Sequence, residues 1–317
     1  MSAVAEAQLA TVVAGQDAPL RRIWLCADDY GIAPGVNTAI RDLIVRGRLN
    51  ATSVMVLAPS STRSEAVSLS ILNTMSKRAA IGLHVTLTAP FRPASKNFKP
   101  LKHDAFLPLK RLLRTAMMGK LDAPSIAAEV TAQFKAFQNL FGRTPDFVDG
   151  HQHVHLFPQI RDAVLAATME HAPQAWVRQC GRRTPLRKRF GDPKGLLLDY
   201  LSRDFRRRAE RLGLRTNPGF AGTYHFGAAA PFAKLFPRFL DDLPDGGLVM
   251  CHPGVVDAEL ERLDPLTTLR AHELAYFNGN EFLAVLARHQ VALAEEPRAA
   301  PGAHQPAAVT RNHAEPA

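Results

Sequence analysis

Cysteine is scarce in this chain. The three thiols, Cys26, Cys180 and Cys251, form an odd set without CxxC spacing, which excludes a disulfide framework and a cysteine-rich zinc site. Cys26 and Cys251 lie within apolar runs and read as buried, inert thiols. No apolar run approaches the roughly 18 residues of a membrane span. The opening MSAVAEAQLATVVAGQDAPL also lacks the basic n-region and compact apolar core of a secretory signal. A cytoplasmic location is therefore expected, with peripheral contact at the inner membrane left open. Aromatic residues make up only 7% and no nucleic-acid motif is present, so no nucleic acid is expected as a partner. Acids are the minority charge, Asp+Glu 29 against Lys+Arg 39, and the net +10 favours polyanions or anionic surfaces as neighbours. Much of this excess sits between Arg182 and Arg215, a stretch read first as a solvated helix face and second as a binding patch.

Apolar residues are not lacking. At 46% of 317 residues they can build a large core, and a single α/β domain is preferred to two smaller ones. IWLCAD (23–28) is an apolar run ending abruptly in acids, as a buried strand does on reaching a loop. A helix is expected from Pro34 to Arg46, with Gly47 as its stop. Further strands are expected at 53–57, 80–87, 146–150, 175–179, 247–252 and 291–294, the last of these closing the sheet, with a strand or turn at 217–226. Helices are expected at 62–72, 125–141, 158–170, through the basic region to Leu212, at 231–241 and at 266–289. This alternation implies parallel strands with right-handed crossovers, and about seven βα units suit a barrel. Residues 1–20 read as a flexible leader, 21–296 as one (β/α)-barrel domain, and 297–317, rich in Pro and Ala, as a disordered tail.

Histidine is concentrated. FVDGHQHVHLFP (147–158) places His151, His153 and His155 at every second position after Asp149. Asp28 and Asp29 follow the first expected strand, His84 lies in the third, Asp149 and His151 follow the fourth, and His252 ends a late one. In parallel α/β folds these strand ends meet at one face. Imidazoles with a carboxylate make a His2Asp-type site for a divalent first-row metal, with positions left open for water and substrate. Adjacent extended carboxylates point apart, so Asp28 and Asp29 can divide proton transfer and ligation. Each residue alone has a plainer reading: a helix cap for the aspartate pair, a satisfied core residue for His84, a surface strand for HxHxH. Their coincidence at strand ends of one polarity favours chemistry. If 151–155 stays extended, the three histidines share one side; if it bends after His151, His153 and His155 become structural.

ADDYGIAPGVNTAI (27–40), GLHVTLT (82–88), DGHQHVHLFPQI (149–160) and MCHPG (250–254) resemble, in order and spacing, the YdjC-like carbohydrate deacetylases. That family includes chitooligosaccharide deacetylases and enzymes associated with hopanoid biosynthesis. The resemblance implies a divergent (β/α) TIM-like barrel with one divalent metal ion, magnesium or zinc, that removes N-acetyl groups from amino sugars. By position it makes Asp29, His84 and His151 the metal ligands, Asp28 the general base and His252 the acid. Two imidazoles tilt the physical argument towards zinc or another transition metal. Tyr30, where the family often has Phe, and Gln152 depart from the commoner pattern without removing a ligand.

Asp149 is a candidate for orienting an imidazole, His153 for shaping the pocket, Arg178 for orienting Asp28 or a sugar hydroxyl, and Tyr224, with His225, for stacking on a sugar ring. The basic amphipathic segment 106–121 reads as a core helix, with a pocket lid or membrane-lying helix as the alternative. The expected partner is an N-acetylated amino sugar. Lipid linkage and a homodimer are left open. The competing functions are a metal-dependent phosphoesterase and a non-catalytic carbohydrate-binding protein on the same scaffold.

Overall fold

Ile23 to Tyr30 are buried without a break, which only a strand covered on both faces can sustain. In the computed structural model, which describes residues 19–74, 79–183, 192–224 and 231–294, this run is the centre of the sheet. The chain begins with β1 (Arg21–Tyr30), α1 (Pro34–Val45), β2 (Ala51–Val54), α2 (Arg63–Ile71) and β3 (Ala80–Val85). It continues through α3 (Leu109–Met117), α4 (Ala123–Phe141) and β4 (Phe147–Gly150) into a 3-10 turn over His151–Leu156. Then come α5 (Ile160–His171), β5 (Trp176–Val177), α6 (Pro193–Arg211), β6 (Phe220–Ala221), α7 (Phe232–Asp241) and β7 (Leu248–Cys251). α8 (Ala258–Leu263), α9 (Thr268–Asn278), α10 (Asn280–Arg288) and β8 (Val291–Leu293) follow. The expected tail at 297–317 lies outside the described residues, as does the leader apart from residues 19 and 20.

All strand pairings in the sheet are parallel, in the order β5-β4-β3-β2-β1-β7-β6, with β8 beside β1. The sheet curls into an incompletely closed barrel. Its end strands, β5 and β6, share no ladder, but Val177 bridges to Thr216 just before β6, and the Val177 N–H donates to the Arg215 carbonyl at 2.9 Å. The Asn217 side chain adds a further rung, accepting from Gln179 N–H at 2.9 Å and donating to its carbonyl at 3.0 Å.

Three expectations change in detail. β8 does not close the ring, because it pairs only with Arg21–Ile23 and leaves Trp24–Ala27 to β7. The second strand starts at Ala51 and stops at Val54, where β1 bulges between Ala27 and Tyr30 and the register shifts. The stretch 266–289 is two helices, because Gly279 is extended (φ −76°, ψ 161°) between them.

The barrel floor is aromatic. Phe147 stacks on Trp176 at 4.4 Å, and Trp176 meets Trp24 at 5.9 Å. Gly82 on β3 makes room for them, since a Cβ there would lie 2.5 Å from the Phe147 ring. Burying each such ring stabilises the fold by roughly 1.5–3 kcal/mol, at the end of the barrel opposite the polar strand termini. Among the described residues, no helix is long and apolar enough to cross a membrane.

Candidate active site

Parallel pairing brings the C-terminal ends of β1, β3, β4, β5 and β7 to one face, and with them Asp28, Asp29, His84, Asp149, His151, Arg178 and His252. The extended picture that separated Asp28 from Asp29 needs correction. Asp29 sits at φ +68°, in the left-handed region within the bulge of β1, so the alternation of an extended strand does not set the direction of its carboxylate. The two carboxylates nonetheless have separate partners.

Asp29 faces two imidazoles. Its Oδ1 lies 2.9 Å from His151 Nδ1 and 3.2 Å from His84 Nε2. The candidate ligand atoms of Asp29, His84 and His151 all fall within 4.8 Å of one another. On the far side of the His84 ring, Nδ1 is 2.6 Å from Asp149 Oδ1 and 2.9 Å from Ser53 Oγ, which fixes the tautomer and aims Nε2 at Asp29. Two neutral-capable imidazoles and one carboxylate, buried and convergent, suit a divalent first-row ion with open positions. The donor set therefore fits the metal implied by the sequence.

Asp28 faces a cation. Arg178 is fully buried and grips both of its oxygens, Nη1 to Oδ1 at 2.7 Å and Nη2 to Oδ2 at 2.8 Å, while Nη1 also lies 3.1 Å from Asp149 Oδ2. Cys26, Asp28 and Asp149 form a second convergent group, but the guanidinium already serves both carboxylates there. Burial pushes the Cys26 thiol up as well, so this group does not suit a second cation.

The charges act on one another. Burial opposes ionisation of Asp28, yet Arg178 and then His84 hold its carboxyl well below the usual carboxylate range. Asp29 is likewise held low against its burial by His151 and Arg270. Burial works against charge on His84, but Asp149 and Asp29 outweigh it and push its pKa up to about 10.

The three clustered histidines part company. The 3-10 turn, with Gln152 at φ 54° and His153 at φ 60°, replaces the extended segment, so only His151 reaches the ligand set. His155 is fully buried, and its Nε2–H donates to the Arg178 carbonyl at 2.8 Å. His153 is half-buried, with Nδ1 3.5 Å from Cys180 Sγ and its ring edge-on to Phe220. Burial and Arg178 push the His153 pKa down to about 3. Tyr224 is half-buried. Its hydroxyl donates to Glu273 Oε1 at 2.6 Å and its ring packs by Phe232 and Phe239. His225 lies outside the described residues.

Several residues at the site went unread in the sequence. Phe91 stands edge-on to His151 at 5.9 Å. Arg270, fully buried on α9, bonds Asp29 Oδ2 at 2.6 Å, and Glu273 one turn later accepts the His252 N–H at 2.5 Å. A signal was present: Arg270 and Glu273 share the buried stripe of α9 with Tyr276 and Phe277, where charges are out of place.

Comparison with known proteins bears on the family and the fold. The family model described as YdjC-like protein matches residues 22–288. A carbohydrate deacetylase of Mus musculus is 28% identical over 259 residues, covering 74% of this chain and 79% of its own length. A chitooligosaccharide deacetylase of Yersinia pestis (strain Pestoides F) is 29% identical over 242 residues, covering 74% and 82% respectively. A crystal structure from Enterococcus faecalis V583, described as a cellobiose-phosphate cleavage protein, superposes with a TM-score of 0.67 at 19% identity. It covers 86% of this chain and 97% of that one, and so supports the fold.

Proposed function

We propose, from the premise that the chain belongs to the YdjC-like family, that it is a metal-dependent hydrolase removing N-acetyl groups from an amino sugar. The observation that carries this reading is the meeting of Asp29, His84 and His151 beside an Arg178-held Asp28 at one barrel mouth. Asp29, His84 and His151 would hold the ion, and the donor set favours zinc over magnesium. Bound there, a divalent ion supplies Lewis-acid polarisation of the amide carbonyl and of water.

The residues divide the proton work. Asp28, kept ionised by Arg178, accepts a proton from the water that attacks the acetyl carbon. His252, which follows Cys251, the β7 partner of Ala27, gives a proton to the sugar nitrogen as the C–N bond breaks, releasing acetate and a free amine. Arg178 fixes the direction of Asp28, and Asp149 holds the His84 ring so that Nε2 points at Asp29. A phosphoesterase with two metals is disfavoured because Arg178 takes the place a second cation would need.

For the acceptor, the proposal extends to a lipid-linked amino sugar presented at an anionic surface. A cleft of about 280 Å³ between the end of α3 and α6 is lined by Met117, Pro158, Tyr200 and Leu201 together with Arg203, Arg207 and the ion pair of Arg161 with Asp204. Within α3, Leu112 and Ala116 are buried, so the helix is anchored by its apolar face.

The test is acetate release from N,N'-diacetylchitobiose and from an N-acetylglucosaminyl lipid, comparing wild type with Asp28→Asn. Release by wild type, at least 100-fold reduced in the variant while zinc content is retained, is expected. Equal turnover by the two proteins would remove Asp28 as the base. No acetate from either substrate would favour a carbohydrate-binding protein.

A further inference from the structure

We propose that helix α9 positions both halves of the reaction centre: Arg270 fixes the coordinating carboxylate of Asp29, and Glu273 fixes the loop that carries His252. The inference rests on the metal reading of the site. Arg270 Nη2 lies 2.6 Å from Asp29 Oδ2 and 2.5 Å from Asp264 Oδ2, and Nε donates to the Leu266 carbonyl at 3.0 Å. With Oδ2 taken by Arg270, Asp29 turns Oδ1 towards the two imidazoles and would offer a bound ion that one oxygen.

Three residues along the same face, Glu273 accepts the His252 N–H through Oε2 at 2.5 Å and the Tyr224 hydroxyl through Oε1 at 2.6 Å. The Gly254 N–H closes the loop onto the Arg270 carbonyl at 3.2 Å. The spacing of α9 thus ties the distance between the coordinating carboxylate and His252 to one rigid helical turn.

Stability does not account for these groups. A helix that docks through Tyr276 and Phe277 gains little from a buried Arg and Glu, since apolar residues of similar size pack there at lower desolvation cost. What Arg270 adds is direction: Asp264 and the Leu266 carbonyl hold its rigid, planar guanidinium so that Nη2 meets Asp29 Oδ2 at a fixed point, which a flexible Lys does not reproduce.

Zinc affinity, read by competition with a chromophoric chelator, is to be measured with kcat, KM and the metal-free thermal midpoint. The proteins are wild type, Arg270→Lys, Arg270→Gln and Glu273→Gln. Both Arg270 variants are expected to bind zinc roughly 10- to 100-fold more weakly. Glu273→Gln is expected to keep wild-type zinc affinity and KM while losing on the order of 10-fold in kcat.

If neither Arg270 variant folds, Asp264→Asn, which loosens the far side of the guanidinium, takes their place with the same expected direction. Tight zinc binding unchanged in the Arg270 variants, or wild-type kcat in Glu273→Gln, overturns the inference alone. No zinc binding by wild type overturns the metal reading and the inference with it.

Discussion

Arg178 is the residue on which the electrostatics of the site turn. It is fully buried, and it stands between Asp28 and Asp149, two carboxylates that would otherwise repel in a poorly solvated pocket. Replacing it with Met leaves buried charge uncompensated, a change that costs about 3–5 kcal/mol. Urea denaturation of Arg178→Met should show a loss of that size, and adding Asp28→Asn should recover part of the stability without activity. An unchanged midpoint in the single variant would contradict the arrangement.

A second residue-scale prediction concerns acid. Burial and Arg178 hold the His155 pKa well below its ordinary value. The unfolded chain therefore binds the extra proton first, and the stability His155 contributes is present above about pH 6.5 and lost as the pH falls. His155→Gln keeps a donor for the Arg178 carbonyl but does not titrate. Its stability should fall less between pH 7 and pH 5 than that of wild type, by on the order of 1–2 kcal/mol; parallel slopes would rule this out.

Tyr30 shows why a family-level departure can be harmless. Its hydroxyl donates to Glu65 Oε2 at 2.8 Å and accepts from Arg41 at 2.9 Å, so the added polar atom has partners away from the ligands.

At the scale of elements, the loop between β3 and α3 is held from α4. Glu129 and Gln133, one turn apart and fully buried, accept the N–H groups of Ala94, Ser95 and Thr86, and Gln133 donates back to the Thr86 carbonyl. Phe91, between those anchor points, stands against His151. Glu129→Ala should leave the barrel folded, speed amide exchange across residues 91–106 and raise KM several-fold. Unaltered exchange would show that the loop is held by other contacts.

Much of this scale was legible. Pro34 opens α1, and Gly142, at φ 68°, ends α4, because local backbone chemistry decides those boundaries. The turn at 151–156 stood in the sequence only as an alternative to a strand, since alternating histidines suit both; in the structure Gln152 and His153 take positive φ, and His155 bonds the Arg178 backbone. Arg270 and Glu273 were obscured for a related reason: the sequence places them in a helix far from any motif, and contact with Asp29 and His252 arises only when α9 packs at the barrel mouth.

For the whole molecule, the parallel alternation and its strand-end residues were readable because period and run length fix strands before any contact forms. Closure was not, because the two-residue strands β5 and β6 and the Asn217 rung depend on how far the sheet curls. The net charge of +10 acts at this scale too. Exposed Tyr200 and Met117 beside Arg203 and Arg207 should draw the protein to vesicles containing anionic lipid, more weakly in 0.5 M salt and not to neutral vesicles. Equal sedimentation with both vesicle types would count against an anionic surface as the site of action.

The most direct measurement is acetate release by metal-stripped protein as zinc is titrated back, run beside Asp29→Asn and His84→Ala. The account predicts no release without metal, full recovery near one equivalent, and no recovery in either variant. Turnover by the stripped protein, or recovery in the variants equal to wild type, would contradict it.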